Sequence, residues 1–148
     1  MTQGTVSAIY IGIEKAGPLT SVETVRAVSG HGIQGDRYFK EAPAPDTEIT
    51  LIEAEAIEAA ARDQKLRLQE WECRRNVVTR NVALNHLVGR EFRIGGVALK
   101  GLRLCEPCGH LEKMTQPGVI GALAHRGGLR AQILIDGDIH VGDAVDVT

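Results

Sequence analysis

The run Leu104-Cys105-Glu106-Pro107-Cys108-Gly109-His110 holds the side chains best suited to covalent chemistry, and it falls where a β-rich stretch gives way to a predicted short helix. A cysteine at a helix N-terminus faces oriented N–H groups and the positive end of the dipole, which favour thiolate over thiol. Such a thiolate is a nucleophile and a sulfur carrier, and Cys108, nearer the helix start, is the stronger candidate. The Cys-x-x-Cys spacing is open to three other readings. A thioredoxin-like redox pair lacks a surrounding βαβ pattern. A zinc site completed by His110 or His125 lacks a second paired motif. The third is simply two small residues packed at a strand end.

Arginines form the second group. Arg74-Arg75-Asn76 precedes one predicted strand, and His125-Arg126-Gly127-Gly128-Leu129-Arg130 leads into another. Guanidinium groups donate in a fork that matches phosphate. Neighbouring residues of a strand point to opposite faces, so alternation predicts that at most one of Arg74 and Arg75 faces a barrel mouth. Paired glycines allow close backbone approach and can present N–H groups to an anion, although a plain turn before a strand reads equally well. Gly32-Ile33-Gln34-Gly35-Asp36-Arg37 is a similar loop, and no helix pattern follows it to make a dinucleotide fingerprint. Asp143 is expected to cap a turn, Asn81 to tolerate positive φ, Trp71 to pack in the core or at its rim, and Cys73 to be buried bulk. No nucleophile elbow, P-loop or His-Glu-x-x-His is present. What is left is cysteine chemistry or the binding of an anionic cofactor.

Charge is uneven once it is resolved along the chain. The 148 residues carry a formal net charge of −2. Residues 1–73 contribute −5, residues 74–130 contribute +7 and residues 131–148 contribute −4, and the basic segment holds both the Cys-x-x-Cys and the arginine clusters. Such a segment gathers charge around an anion or spreads it over a surface. An aromatic content of 3% and a pI near 6.2 argue against a nucleic-acid partner. Three cysteines cannot pair fully, and the N-terminal stretch is too short and too alternating for a signal peptide or a membrane span. A reducing cytoplasm is the expected compartment.

The elements that must position these groups are mostly strands. Val/Ile-rich segments predict strands at 5–13, 22–28, 49–52, 76–79, 91–94, 97–104, 129–135 and 144–147. Gly95-Gly96 and Asp136-Gly137 read as hairpin turns, and residues 41–47 as a flexible loop broken by two prolines. The Ala- and Glu-rich stretch 53–64 is the best helix, with shorter ones after Pro107 and around 119–125. The expectation is a mainly β (α+β) domain over residues 1–148: a closed or nearly closed barrel with a few helices.

The blocks Gly32-x-x-Gly35-Asp36-Arg37, Ile49-Thr50-Leu51-Ile52-Glu53, Arg74-Arg75-Asn76-Val77-Val78, Cys105-Glu106-Pro107-Cys108 and Arg126-Gly127-Gly128-Leu129-Arg130 fall in an order that resembles the MOSC domain, named for the C-terminal domain of molybdenum cofactor sulfurases. The resemblance also takes in Leu84-Asn85 to Gly95 and Gly137-Asp138 to Asp143, with Asn81 standing where glycine is expected. It implies a barrel similar to that of the pyruvate kinase small domain. It also implies sulfur transfer or binding of molybdenum cofactor (molybdopterin), sulfurtransferase-like or cofactor-dependent if the chain is an enzyme. Cys108 would be the sulfur carrier and the candidate molybdenum contact. Arg74, Arg75, Asn76, Arg126, Gly127, Gly128 and Arg130 would be the cofactor-binding residues. A separate cysteine desulfurase would donate sulfur and a molybdoenzyme would accept it, with no pyridoxal phosphate on this chain. The alternative is a module that holds the cofactor, or another anionic metabolite, without chemistry at cysteine.

Overall fold

The computed structural model describes residues 3–65, 68–107 and 109–147. Its strands are β1 (Gly4–Ile11), β2 (Thr20–Val22), β3 (Thr24–Val28), β4 (Gly32–Ile33), β5 (Ile49–Glu53), β6 (Val77–Arg80), β7 (Glu91–Ile94), β8 (Val97–Leu104), β9 (Leu129–Ile135), β10 (Gly137–His140) and β11 (Ala144–Val147). The helices are α1 (Ala54–Gln64), α2 (Gly109–Met114) and α3 (Val119–Leu123), with 3-10 turns at Pro45–Thr47, Glu70–Cys73 and Leu84–Leu87.

The ring order is β11-β7-β8-β9-β5-β6-β1, and β1 returns to β11, so seven strands close a barrel while β2 lies outside it on the edge of β1. Within the ring only β5 and β6 run parallel, and the connection between them carries α1, as a parallel pair requires a crossover. Closure removes the exposed edges that such short strands would otherwise present.

Alternation along β5 and β6 builds two cores from adjacent residues. Leu51 and Val77 point into the barrel with Ile9, Leu99, Leu129 and Phe92. Ile52 and Val78 point outward and are buried by the helices, against Ile57, Ala60, Val119 and Leu123. Strands covered on both faces read as near-continuous apolar runs, as Ile49–Ile52 does but for Thr50.

Three expectations change. The segment around Val22–Val28 is two strands in two sheets, β2 on β1 and β3 between β10 and β4. Asp136-Gly137 is not a hairpin turn: β9 pairs with β8 and β5, whereas β10 leaves for β3. Residues 41–47 contain a 3-10 turn whose Asp46 is held by Arg103 at 2.8 Å and whose carbonyl accepts from Arg130 at 3.2 Å. Among the described residues no helix is long and apolar enough to cross a membrane.

Candidate functional site

The 3-10 turn Glu70–Cys73 is started by a reciprocal bond set between Gln69 and Glu72 and ends with Arg74 in the left-handed region at φ 61. That conformation costs an arginine roughly 1 kcal/mol or more. Its side chain offsets the cost by donating Nη1 to the Gly17 carbonyl at 2.7 Å and Nη2 to the Lys15 carbonyl at 2.8 Å. Because β6 begins only at Val77, strand alternation does not govern Arg74 and Arg75, and both line the same cleft. The expectation of a single inward arginine is thereby corrected.

Arg75 donates Nε to the Gly127 carbonyl at 2.8 Å and Nη2 to the Cys105 carbonyl at 3.1 Å. Asn76, buried, orients the segment rather than the cleft. Its Oδ1 accepts from Thr50 N at 3.1 Å and Thr50 Oγ1 at 3.2 Å, and its Nδ2 donates to the Tyr10 carbonyl at 3.2 Å. Gly127 and Gly128 serve a close approach of chain to chain. A Cβ on Gly127 would lie 2.5 Å from the Cys105 carbonyl oxygen, and one on Gly128, at φ +121, would lie 2.2 Å from that of Leu51.

These contacts frame a cleft of about 240 Å³ where β5, β9 and the segment before β6 meet. Five cations line it, Lys15, Arg37, Arg74, Arg75 and Arg130, with Tyr38, Thr47, Thr50, Cys105 and Leu111 and no carboxylate among the lining residues. The Arg37 side chain is only 4% exposed and pairs with Asp36 at 2.9 Å, yet its Nε is buried without a partner. Arg130 Nε is in the same condition. Buried donors are nearly always satisfied, so two orphans in one cationic cleft mark a place for an acceptor. Burial, and then the charge of Arg37, draw the Arg74 guanidinium below its ordinary value.

Of the site residues expected from sequence, Arg74, Arg75 and Arg130 meet here, and Gly127 supports them through its carbonyl. Arg126 goes elsewhere: Nε donates to the Ala122 carbonyl at 2.7 Å and Nη1 lies 3.6 Å from Asp63, tying α3 to the end of α1. Cys108 lies outside the described residues. Sequence reasoning missed Lys15, Arg37, Tyr38, Thr47 and Thr50 as cleft residues, since Lys15 and Arg37 belong to the acidic segment. The Gly35-Asp36-Arg37 block was the available signal.

Other residues behave differently. Cys73 is buried in the helix-side core and its thiol is pushed up to about 12 by burial. Trp71, at 37% exposure, is not core. His125, at φ 62, contacts Glu106 through Nδ1 at 3.1 Å, and among the described residues no cluster of three metal-ligating side chains occurs. Asn81 takes the expected positive φ, and Asp143 caps the turn by accepting from His140 N at 2.8 Å.

The closed barrel is the fold that the sequence blocks implied, and the MOSC domain model matches residues 37–146. The chain belongs to the MOSC domain family, which is linked to sulfur and pterin binding around the molybdenum cofactor. In structure it is similar to the YuaD protein from Bacillus subtilis, with a TM-score of 0.81 at 18% identity over 97% of this chain and 94% of that one. It is also similar to YiiM from Geobacillus stearothermophilus (TM-score 0.78, 14% identity, 98% and 75% covered). YiiM from Escherichia coli gives 0.75 at 16% identity, with 100% and 70% covered. No curated protein matches the sequence.

Proposed function

We propose that the cleft binds the phosphate end of a molybdenum-pterin cofactor and that Cys108 carries sulfur to such a cofactor or to an acceptor protein. The observation that carries the binding half is the pair of buried, unpartnered Nε–H groups on Arg37 and Arg130 in a cleft lined by five cations. The donor set fits a phosphate: its charged members are all cationic, and guanidinium forks match phosphate oxygens. The volume of about 240 Å³ lies below the roughly 300–1,000 Å³ of pockets that enclose a drug-sized ligand, so the cleft takes one end and leaves the ring system outside. Arg37, Arg74, Arg75 and Arg130 would hold that end, and Thr50 would add a hydroxyl. The cofactor, when bound, supplies redox chemistry at its metal.

The test is calorimetric titration with inorganic phosphate and with molybdopterin. Arg130→Ala should weaken both by about tenfold or more, the worth of a hydrogen bond to a charged group. Unchanged affinity overturns the binding half. For the sulfur half, the protein is incubated with a cysteine desulfurase and cysteine, and its peptides are weighed. Cys108→Ala taking up sulfur as fully as wild type rules out Cys108 as carrier.

A binding module without sulfur chemistry is the second reading. It is favoured by the fact that every cationic group of the cleft lies outside the Cys105–Cys108 run. Pterin binding that survives Cys108→Ala, together with no sulfur uptake by wild type, selects it.

A further inference from the structure

Cys105 is the one cysteine among the described residues that lines the cleft. The function proposed above does not use it. It is 2% exposed, so the cleft is the way to reach it. Its backbone is fixed on both sides, with N donating to the Gly128 carbonyl at 2.7 Å and O accepting from Arg75 Nη2 at 3.1 Å. In the same cleft the nearly buried Arg37 side chain and Arg130 each hold an unpartnered Nε–H. A nucleophile in the wall of a small cleft with orphaned cationic donors suits a compact dianion with an electrophilic end. A sulfur carried on another protein could not reach so deeply placed a thiol.

We propose that Cys105 accepts sulfur from thiosulfate, a small dianionic donor, anchored by its sulfonate oxygens at Arg37 and Arg130. The inference rests on the reading of the cleft as an anion site and adds a donor class and a second sulfur position. In the step, the Cys105 thiol gives its proton to water and Sγ attacks the outer sulfur of the donor. The bond from that sulfur to the sulfonate breaks, and its electron pair leaves on sulfite. Cys105 then holds the sulfur as a persulfide. The thiolate is oxidised to the persulfide level, the departing sulfonate is reduced to sulfite, and no further reactant is needed.

The experiment mixes the full chain with thiosulfate in a single turnover, reads sulfite, and locates the added sulfur by peptide mass. The expected result is up to one equivalent of sulfite per chain, with the mass of one sulfur atom on the peptide position of Cys105. Cys105→Ser should lower sulfite release by more than about a hundredfold while leaving phosphate binding within about twofold. Inorganic phosphate should compete. Because the wild-type peptide map needs no variant, a poorly folded Cys105→Ser protein does not blunt the test. Sulfur found on Cys108 alone overturns the inference. Absence of sulfite from a protein that still binds phosphate overturns it too, and leaves the anion reading standing. Loss of phosphate binding in wild type overturns both.

Discussion

The arginines of the cleft and those of the outer surface satisfy their guanidinium groups in opposite ways. On the outside, Arg26 meets Asp138 at 3.4 Å, Arg62 meets Asp63 at 2.9 Å and Arg103 meets Asp46 at 2.8 Å, so each charge is neutralised where it stands. In the cleft, Arg74 and Arg75 donate to the carbonyls of Lys15, Gly17, Gly127 and Cys105, and Arg130 donates to that of Asp46. A carbonyl fixes a guanidinium without cancelling its charge. Arg37 alone among the cleft arginines pairs with a carboxylate, that of Asp36. The cleft thus keeps its positive potential while its side chains are held rigidly, which is what an anion site needs.

The largest way to break this contrast is through the backbone that carries the acceptors. Gly128→Ala would set a Cβ 2.2 Å from the Leu51 carbonyl oxygen at a φ of +121. It should destabilise the fold by about 3 kcal/mol or more and abolish phosphate binding, as read by urea denaturation and titration. Arg75→Ala comes next. It leaves the Gly127 and Cys105 carbonyls without their donor, costing about 1–3 kcal/mol, and weakens phosphate by at least about tenfold. Arg75→Lys should restore less than half of either loss, because an ammonium cannot span both carbonyls as the fork does.

Glu48 sharpens the same contrast from the acidic side. It is 3% exposed and its Oε1 accepts from Ile133 N at 3.1 Å, so here too backbone stands in for an opposite charge. Burial pushes its carboxyl above the ordinary value, against the pull of that backbone bond. A folded-state value above the unfolded one stabilises fully below the unfolded pKa, about pH 4, and that contribution is lost as pH rises through the folded value. Glu48→Gln should therefore flatten the fall in stability above about pH 4; a denaturation series whose slope matches wild type would contradict this. The smallest effect belongs to the exposed pairs. Arg26→Ala should cost about 0.5 kcal/mol or less and leave phosphate titrations unchanged.

The strands were legible because apolar residues in β5 to β9 and β11 alternate or run continuously between glycine and aspartate breaks. What alternation does not encode is which sheet a strand joins, so the split of β2 from β3 and the departure of β10 to β3 went unread. The cleft was half legible. Arg74, Arg75 and Arg130 were visible as a basic cluster, but the left-handed turn at Arg74 that brings the first two together has no side-chain signature. Arg126 shows the converse: beside paired glycines it resembled a ligand group, and its reach to Ala122 and Asp63 depends on where α1 ends. Counting charge by segment hid Lys15 and Arg37, which arrive from a region of net −5.

The barrel is closed by a short seam. β1 meets β11 through Gly4↔Val145 and Thr5↔Ala144, continued by Val6 N to Asp143 O at 2.9 Å and Gly142 N to Val6 O at 2.8 Å. These partners are about 140 residues apart in sequence, so the seam bears the greatest loop-closure entropy in the fold and gains few bonds in return. Hydrogen exchange is expected to find seam amides among the early ones to exchange with solvent, and equal protection along the whole barrel would contradict this. None of the residues that line the cleft belongs to β1 or β11, the two strands of the seam. The molecule can therefore breathe along one line of its wall while its charged recess keeps its shape.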